Sequence, residues 1–373
     1  MKFSVNKKDM SDKLQYLNNV IPSKSNMMVL ANFKIEAKCE TNTITIVATD
    51  LNITTVVTIA ANVMEDGSIL VSAKHLADII ASLPDQVINF SIREETLVIE
   101  CGNSNFSINF LESSLFPEIS FIDSDNQYTF DADSFKKMIE NSAFCTSTEA
   151  HQSIINGVYC KLEDNLMTFA GTDTRRIGEA KLKAEFTVEE PYEIVLPTRA
   201  LNFLEKNIKD DVESISIKYD VRRISFHLSD IVLISNRYDG KFPTYTVAFR
   251  NQPNYSLLID RNTLRDAIRR ASLLSEDDDK LIKIALSESE IIVESHLSER
   301  GNAKESIKGF KYDGPDVLYC FNSRLFTGIL NAIDTDDVVL KFRSPEEPIW
   351  ILNNAVYENM DITFILMPMR LGR

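Results

Sequence analysis

The chain has 373 residues, 44% of them apolar and 25% charged, with a formal net charge of −15. Such values fit an ordinary globular protein of two to three domains. They exclude a surface covered throughout with cations for nucleic acid, but not a locally basic one. No apolar run approaches the roughly 20 residues a bilayer span needs, and "MKFSVNKKDM" lacks the apolar core of a signal peptide. The five cysteines (Cys39, Cys101, Cys145, Cys160 and Cys320) are scattered without a CxxC pair, as expected of free thiols in a reducing, cytoplasmic compartment.

In chain order, the first predicted elements are a short strand at "KFSVN" and a helix in which Met10, Leu14 and Leu17 recur at i, i+4 and i+7. Strands follow in "TITIVATDLNITTVV". A second amphipathic helix starts just after Val71, and alternating strands then end at Phe116-Pro117. Among them "NFSINF" places Phe106, Ile108 and Phe110 on one face. The same succession returns as "FDADSFKKMIENSAF", "LMTFAGTDTRRIGEA" and a segment from Leu196 to Phe242-Pro243. It returns again as "LIDRNTLRDAIRRASLL", "EIIVESHLSERGNAKE" and a segment from Phe321 to Met367-Pro368. The second-helix segments begin at positions 71, 196 and 321, evenly 125 residues apart.

A period this long denotes triplicated domains rather than a solenoid of short units. The expected architecture is α+β: three tandem domains at 1–122, 123–250 and 251–373, each with two helices and antiparallel sheets, joined near 118–127 and 244–255. The recurring Thr49-Asp50 and Thr172-Asp173 are expected to be turn chemistry within the repeat.

Catalytic signatures are absent from the sequence. There is no GxxxxGK or GxGxxG loop, and His75, His151, His227 and His296 stand far apart without HExxH spacing. "EDDD" at 276–279 lacks the glycine and spaced oxygens of a calcium loop and reads as a solvated turn. The expectation is therefore no catalytic residue, no metal and no cofactor. An enzyme of unrecognised type with a site in a domain cleft remains as the competing class.

Cations concentrate on the first helix of each repeat. They are Lys7, Lys8 and Lys13, then Lys136 and Lys137, then Arg261, Arg265, Arg269 and Arg270. Lys74, Arg199, Lys206 and Arg324 belong to the second helices. A sequence-independent phosphate track and ordinary solvated helix faces are both compatible with this pattern.

Taken together, three α+β repeats, "ATDLNITTVV", "GTDTRRIGEA", "NRYDGKFPTY" and "MPMRL" resemble the bacterial sliding clamp family, the beta subunit of DNA polymerase III, along the whole chain. The resemblance implies the DNA clamp fold and a head-to-tail homodimer whose six domains close a ring around double-stranded DNA. It also implies a non-catalytic processivity factor, cytoplasmic and nucleoid-associated, with no membrane partner. Its protein partners would be the DNA polymerase III alpha subunit, the clamp loader and other proteins bearing a clamp-binding motif. The alternative is a scaffold of the same fold that binds partner peptides without encircling DNA.

By the same resemblance, a partner-peptide groove is expected at Ile155, Thr172, Thr174, Arg175, Arg176, Ile177, Pro243, Val247, Pro348, Ile365, Met367, Pro368, Met369, Arg370 and Leu371. Methionines would supply an adaptable apolar wall, and Arg176 and Arg370 would hold acidic groups at the rim. DNA contacts are expected at Lys24, His151, Gln152 and Arg199, and dimer contacts at Phe106 and Ile108, on an edge strand of the first domain, with Leu273 and Leu274 on the third. Two features depart from better-known clamps. Thr174-Arg175 stands where those have Gly-His, and Gly372-Arg373 extends beyond the usual terminal leucine.

Overall fold

Six α-helices form among the residues described by the computed structural model, which are 1–22, 27–124, 127–149, 153–275, 280–295, 301–355 and 357–370. They are α1 (Lys7–Asn18), α2 (Ala73–Ser82), α3 (Ala132–Glu140), α4 (Thr198–Asn207), α5 (Arg261–Ala271) and α6 (Ser323–Ala332). The starts of α2, α4 and α6, at 73, 198 and 323, keep the step of 125 read from the sequence. Each helix buries one apolar stripe: Met10, Leu14 and Leu17 on α1, and Leu264, Ala267, Ile268 and Ala271 on α5. Side-chain caps fix several starts. Ser72 accepts from the His75 N–H, Asp260 from that of Thr263, and Asn322 from that of Leu325.

Among the described residues the strand pairings are antiparallel, and the strands fall in two compact units. The first unit comprises Met1–Phe135 with Arg199–Arg237, the second Lys136–Thr198 with Tyr238–Arg373. The first contains a 13-stranded sheet and the second a nine-stranded and a four-stranded sheet. The units do not follow the repeats. Strands Gln127–Asp131, Ser214–Tyr219, Arg223–Leu228 and Ile231–Asn236 of the second repeat extend a sheet of the first repeat, through pairing of Ile231–Asn236 with Ile53–Ala60. Strands Gly157–Glu163, Leu166–Thr172, Arg176–Lys183 and Tyr192–Pro197 join a sheet of the third repeat, through pairing of Arg176–Lys183 with Met360–Leu366.

The Thr-Asp turns behave as expected. Asp50 Oδ1 accepts from the backbone N–H groups of Asn52 and Ile53 at 2.9 and 2.7 Å, and Asp173 Oδ1 from those of Arg175 and Arg176 at 3.0 and 2.9 Å. Asp220 repeats the device with Arg222 and Arg223. These are Asx turns, in which a short carboxylate replaces a backbone acceptor and sets a tight reversal.

One sequence expectation needs correction. The strand carrying Phe106 and Ile108, Ser104–Glu112, is not an outer strand, because it lies between Gly67–Ser72 and Thr96–Cys101. Its hydrogen bonding nevertheless divides. Residues 110–112 pair on one side with Val71, Leu70 and Ile69, whereas residues 104–109 pair only with Thr96–Cys101 on the other. The edge character is thus confined to the portion that holds Phe106 and Ile108, both half-buried.

Candidate functional site

In the second unit, the strand pair whose turn carries Thr172, Thr174, Arg175, Arg176 and Ile177 is anchored by a glycine pair. Gly171 lies opposite Gly178 in the antiparallel pairing. A Cβ on Gly171 would fall 2.0 Å from the Ser142 carbonyl oxygen, and one on Gly178 would fall 2.4 Å from that of Asn141. Only glycine allows the Asn141–Cys145 segment to settle this closely on the sheet. The close approach buries Cys145, and burial pushes its thiol pKa up to about 12.

That segment also places Arg176. Its Nε donates to Asp173 Oδ2 at 3.0 Å and its Nη2 donates to the Phe144 carbonyl at 2.6 Å. The guanidinium lies over the Phe144 ring, 5.0 Å from the centroid, and only 13% of the side chain is exposed. Arg176 therefore does not present itself at a rim, as the sequence suggested. It is a brace that ties the Asp173 turn to the overlying segment.

The remaining expected residues fall into three groups. Thr172, buried, donates its hydroxyl to the Arg176 carbonyl at 2.7 Å and accepts from the Thr174 N–H at 3.0 Å. Thr174 and Arg175 are exposed at the tip of this turn, and Ile177 and Ile365 are buried partners across the strand pair. Met367 continues that pairing by donating its N–H to the Arg175 carbonyl at 2.9 Å, and Met369 donates to the Cys320 carbonyl at 2.7 Å. These bonds hold the backbone on both sides of Pro368. Met367 keeps 39% exposure, Met369 is half-buried and Arg370 is exposed. Leu371 lies outside the described residues, as do Gly372 and Arg373.

A second group surrounds Val247 and Pro348, which share the wall of a cavity of about 60 Å³ with Asn251, Arg343 and Glu347. Asn251 Nδ2 donates to Glu347 Oε1 at 2.9 Å. The third group is Ile155, packed with Val195 and Phe242 beside the exposed Pro243. Aromatic contacts run from Tyr159 through Phe242, Tyr245 and Phe249 to Trp350, with centroid separations of 5.5 to 6.2 Å. Tyr245 Oη donates to the buried Glu179 at 2.8 Å, and Glu179 also accepts from Lys181 at 2.7 Å. Burial and that carboxylate push the Tyr245 hydroxyl far above the ordinary tyrosine range, so it stays a donor.

Phe144, the two glycines, Glu179 and the polar cavity wall were not anticipated from sequence. Only the aromatic spacing in "KFPTYTVAF" carried a signal for the aromatic series.

Among the expected DNA contacts, Lys24, His151 and Gln152 lie outside the described residues. Arg199 is half-exposed, but its Nη1 donates to Asp50 at 2.7 Å and its Nη2 donates to the carbonyls of Asn19 and Val20 at 2.8 and 3.1 Å. Several helix cations are likewise engaged locally. Lys13 bonds Asp230, Arg270 bonds Glu305, Arg261 donates to the Ile333 carbonyl, and Lys137 lies over Tyr357. Lys8, Lys74, Lys206, Arg269 and Arg324 are exposed. Leu273, expected at the dimer contact, is 73% exposed on a single 3-10 turn, and Leu274 beside it is half-buried.

His296 and the acidic run 276–279 lie outside the described residues. Among those that are described, no three His, Cys, Asp or Glu side chains form a metal-binding group, and no helix is long and apolar enough to cross a membrane.

Three family models match the chain in tandem. They describe the N-terminal domain of the DNA polymerase III beta subunit over residues 1–120, its central domain over 129–244 and its C-terminal domain over 248–370. The beta sliding clamp of Synechococcus elongatus is 25% identical over 377 residues, covering 100% of both chains. That of Staphylococcus aureus is 26% identical over 380 residues, covering 99% of each. Among solved structures, the fold matches a Pseudomonas aeruginosa sliding clamp bound to griselimycin with a TM-score of 0.93 at 22% identity, over 100% of both chains. It matches the Bacillus subtilis clamp with a TM-score of 0.93 at 21% identity, also over 100% of both chains.

Proposed function

The chain belongs to the DNA polymerase III beta subunit family, and we propose that it works as a DNA sliding clamp, a processivity factor that encircles duplex DNA and tethers the replicative polymerase. In this reading the clamp domains are 1–122, 123–250 and 251–373, and two copies close a ring. The protein catalyses nothing itself, and the loader supplies the ATP that opens the ring. It works in the cytoplasm, at the nucleoid.

The observation that carries the reading is the tandem match of three domains of one family across nearly the whole chain. Exposed helix cations in an acidic chain suit it, because a clamp must slide and not adhere. Few unpaired cations give weak, sequence-independent and salt-sensitive contact. The partner-peptide groove is assigned to the second unit, where Met367, Val247, Pro348, Met369, Thr174 and Arg175 offer apolar and cationic surface around the buried Ile177 and Ile365. A short partner segment would bury one or two apolar anchors there, beside the exposed Arg175 and Arg370. The dimer contact is assigned to Phe106 and Ile108 on the one-sided portion of their strand, with Leu273 and Leu274 from the other copy, which would cover an open strand edge. DNA contacts are assigned to Lys24, His151, Gln152 and Arg199.

Retention on DNA tests the reading. Loaded with a clamp loader and ATP, the protein should stay on nicked circular DNA and run off the linear form. Equal retention on both would overturn it and favour a scaffold that does not encircle DNA.

A further inference from the structure

The groove has a counterpart in the first unit. There Thr49 plays the part of Thr172: its hydroxyl donates to the Ile53 carbonyl at 3.1 Å and accepts from the Leu51 N–H at 3.0 Å. Leu51 and Thr174 share a left-handed backbone, with φ of 75° and 73°. The N–H of Asn236 donates to the Asn52 carbonyl at 2.8 Å, as that of Met367 does to Arg175. Strand registers complete the match, since Ile53 pairs with Ser235 and Thr54 with Ile234, just as Arg176 pairs with Leu366 and Ile177 with Ile365.

Every position equivalent to the exposed groove tip therefore exists twice, and the first-unit copy is hollow. A cavity of about 130 Å³ is lined by Leu51, Asn52, Thr54, Ile119, Ile234 and Asn236, among others. Of its apolar lining residues Leu51 is 49% exposed, Ile119 is half-buried and Ile234 is buried. Polar Thr49, Asn52, Thr54, Ser120 and Asn236, with Glu118 and Arg223, make up most of its wall, so Leu51 and Ile119 are where an apolar anchor would seat.

The side chains differ in a way that selects a different occupant. Where the groove has Met367, this site has Asn236; where it has the exposed Arg175, this site has Asn52. Arg223 lines the cavity, but its guanidinium is held by Asp220 Oδ2 at 2.7 Å and by the Ser120 carbonyl at 2.8 Å. Glu118 lines the same cavity, is exposed and forms no ion pair among the described residues. The charge left over at this site is negative, opposite in sign to that of Arg175 and Arg370 at the groove.

We propose that the junction of the first and second repeats is a second peptide-docking site, taking a short apolar segment of a partner protein with a lysine or arginine beside its anchor. The proposal rests on the groove reading for its mode of binding, and on Glu118 and the exposed Leu51 for its ligand. Anchors burying apolar surface would supply most of the affinity, while the charge would sort partners between the two sites.

Two fluorescent eight-residue probes test this on the full-length protein, each with a Leu-Phe pair, one flanked by lysines and the other by aspartates. The lysine probe should bind saturably and lose at least tenfold in affinity in the double variant Glu118→Lys, Leu51→Asn, while Met367→Asp leaves it unchanged. Both substituted residues of the double variant are exposed, and asparagine tolerates the left-handed backbone at 51, so the fold should survive; retention on circular DNA checks that. No saturable binding of the lysine probe, or loss of it in Met367→Asp to the same degree, would overturn the proposal. Insensitivity of the aspartate probe to Met367→Asp would instead sink the groove assignment, leaving the lysine-probe result to stand on its own variants.

Discussion

The two junction turns share a backbone and differ in what they do with it. At Asp50 the turn leads into Ile53, a buried apolar residue; at Asp173 the equivalent position is Arg176, braced against Phe144. The strand positions facing the overlying chain differ in size as well. Ala48 pairs with Thr55 in the first unit, where Gly171 pairs with Gly178 in the second. Duplication of a scaffold fixes hydrogen bonds and register, because these belong to the backbone. Side-chain volume at a few positions then decides how closely neighbouring segments approach and which surface is left for a partner.

Substitutions that exchange these features should separate the two turns. The largest effect is expected from Gly171→Ala, whose new methyl would meet the Ser142 carbonyl. It should lower stability by about 3 kcal/mol, whereas Ala48→Gly in the first unit should cost about 1 kcal/mol. Chemical denaturation midpoints measure both, and similar losses would mean the close approach is not what requires glycine.

Arg176→Ala comes next. It strands Asp173, of which only 17% of the side chain is exposed, and should cost about 2 kcal/mol after allowance for that partial exposure. Asp173→Asn in the same background should recover part of the loss; no recovery would show that the stacking on Phe144, and not the charge, holds the turn. A smaller, opposite effect is expected at the left-handed residues. Thr174→Gly should stabilise by about 1 kcal/mol, because a β-branched side chain is strained at φ 73°. A fall in the melting temperature would refute that strain.

The smallest effect is a pH dependence confined to the first unit. His227 is half-buried, its Nε2 lies 3.0 Å from Ser225 Oγ, and burial together with Lys218 lowers its pKa. The unfolded chain then binds a proton that the folded one resists, so stability should fall as pH drops below about 6.5. His227→Gln should flatten that limb; an unchanged slope would assign it to other groups.

How much of this was legible in the sequence follows from where the information lies. Helix stripes and proline positions are local, so the step of 125 residues shows in the sequence itself, and the Asx turns follow from Thr-Asp recurring at one place in the repeat. The fusion of the second repeat's strands into two different sheets was not legible, because it depends on which backbone edges meet at Ile231–Asn236 and Met360–Leu366. The bracing role of Arg176 is hidden in the sequence for a related reason. An arginine next to an exposed turn reads as surface until the carbonyl of Phe144, 32 residues earlier, is seen to cover it. The shared face of Phe106 and Ile108 shows in the alternation of the sequence, but the strand's one-sided pairing depends on its neighbours.

The strand Met360–Leu366 joins chain segments that are far apart in sequence, since Arg176 pairs with Leu366 and Leu182 with Met360. Closing so long a loop is slow, and local hairpins such as Leu166–Thr172 with Arg176–Lys183 have no need to wait for it. The pairing that positions Met367 is thus the long-range one of the two, and carries the larger loop-closure cost. A surface made of Met367 together with Arg175 therefore exists only where that long-range pairing is intact, whatever the state of the local hairpins.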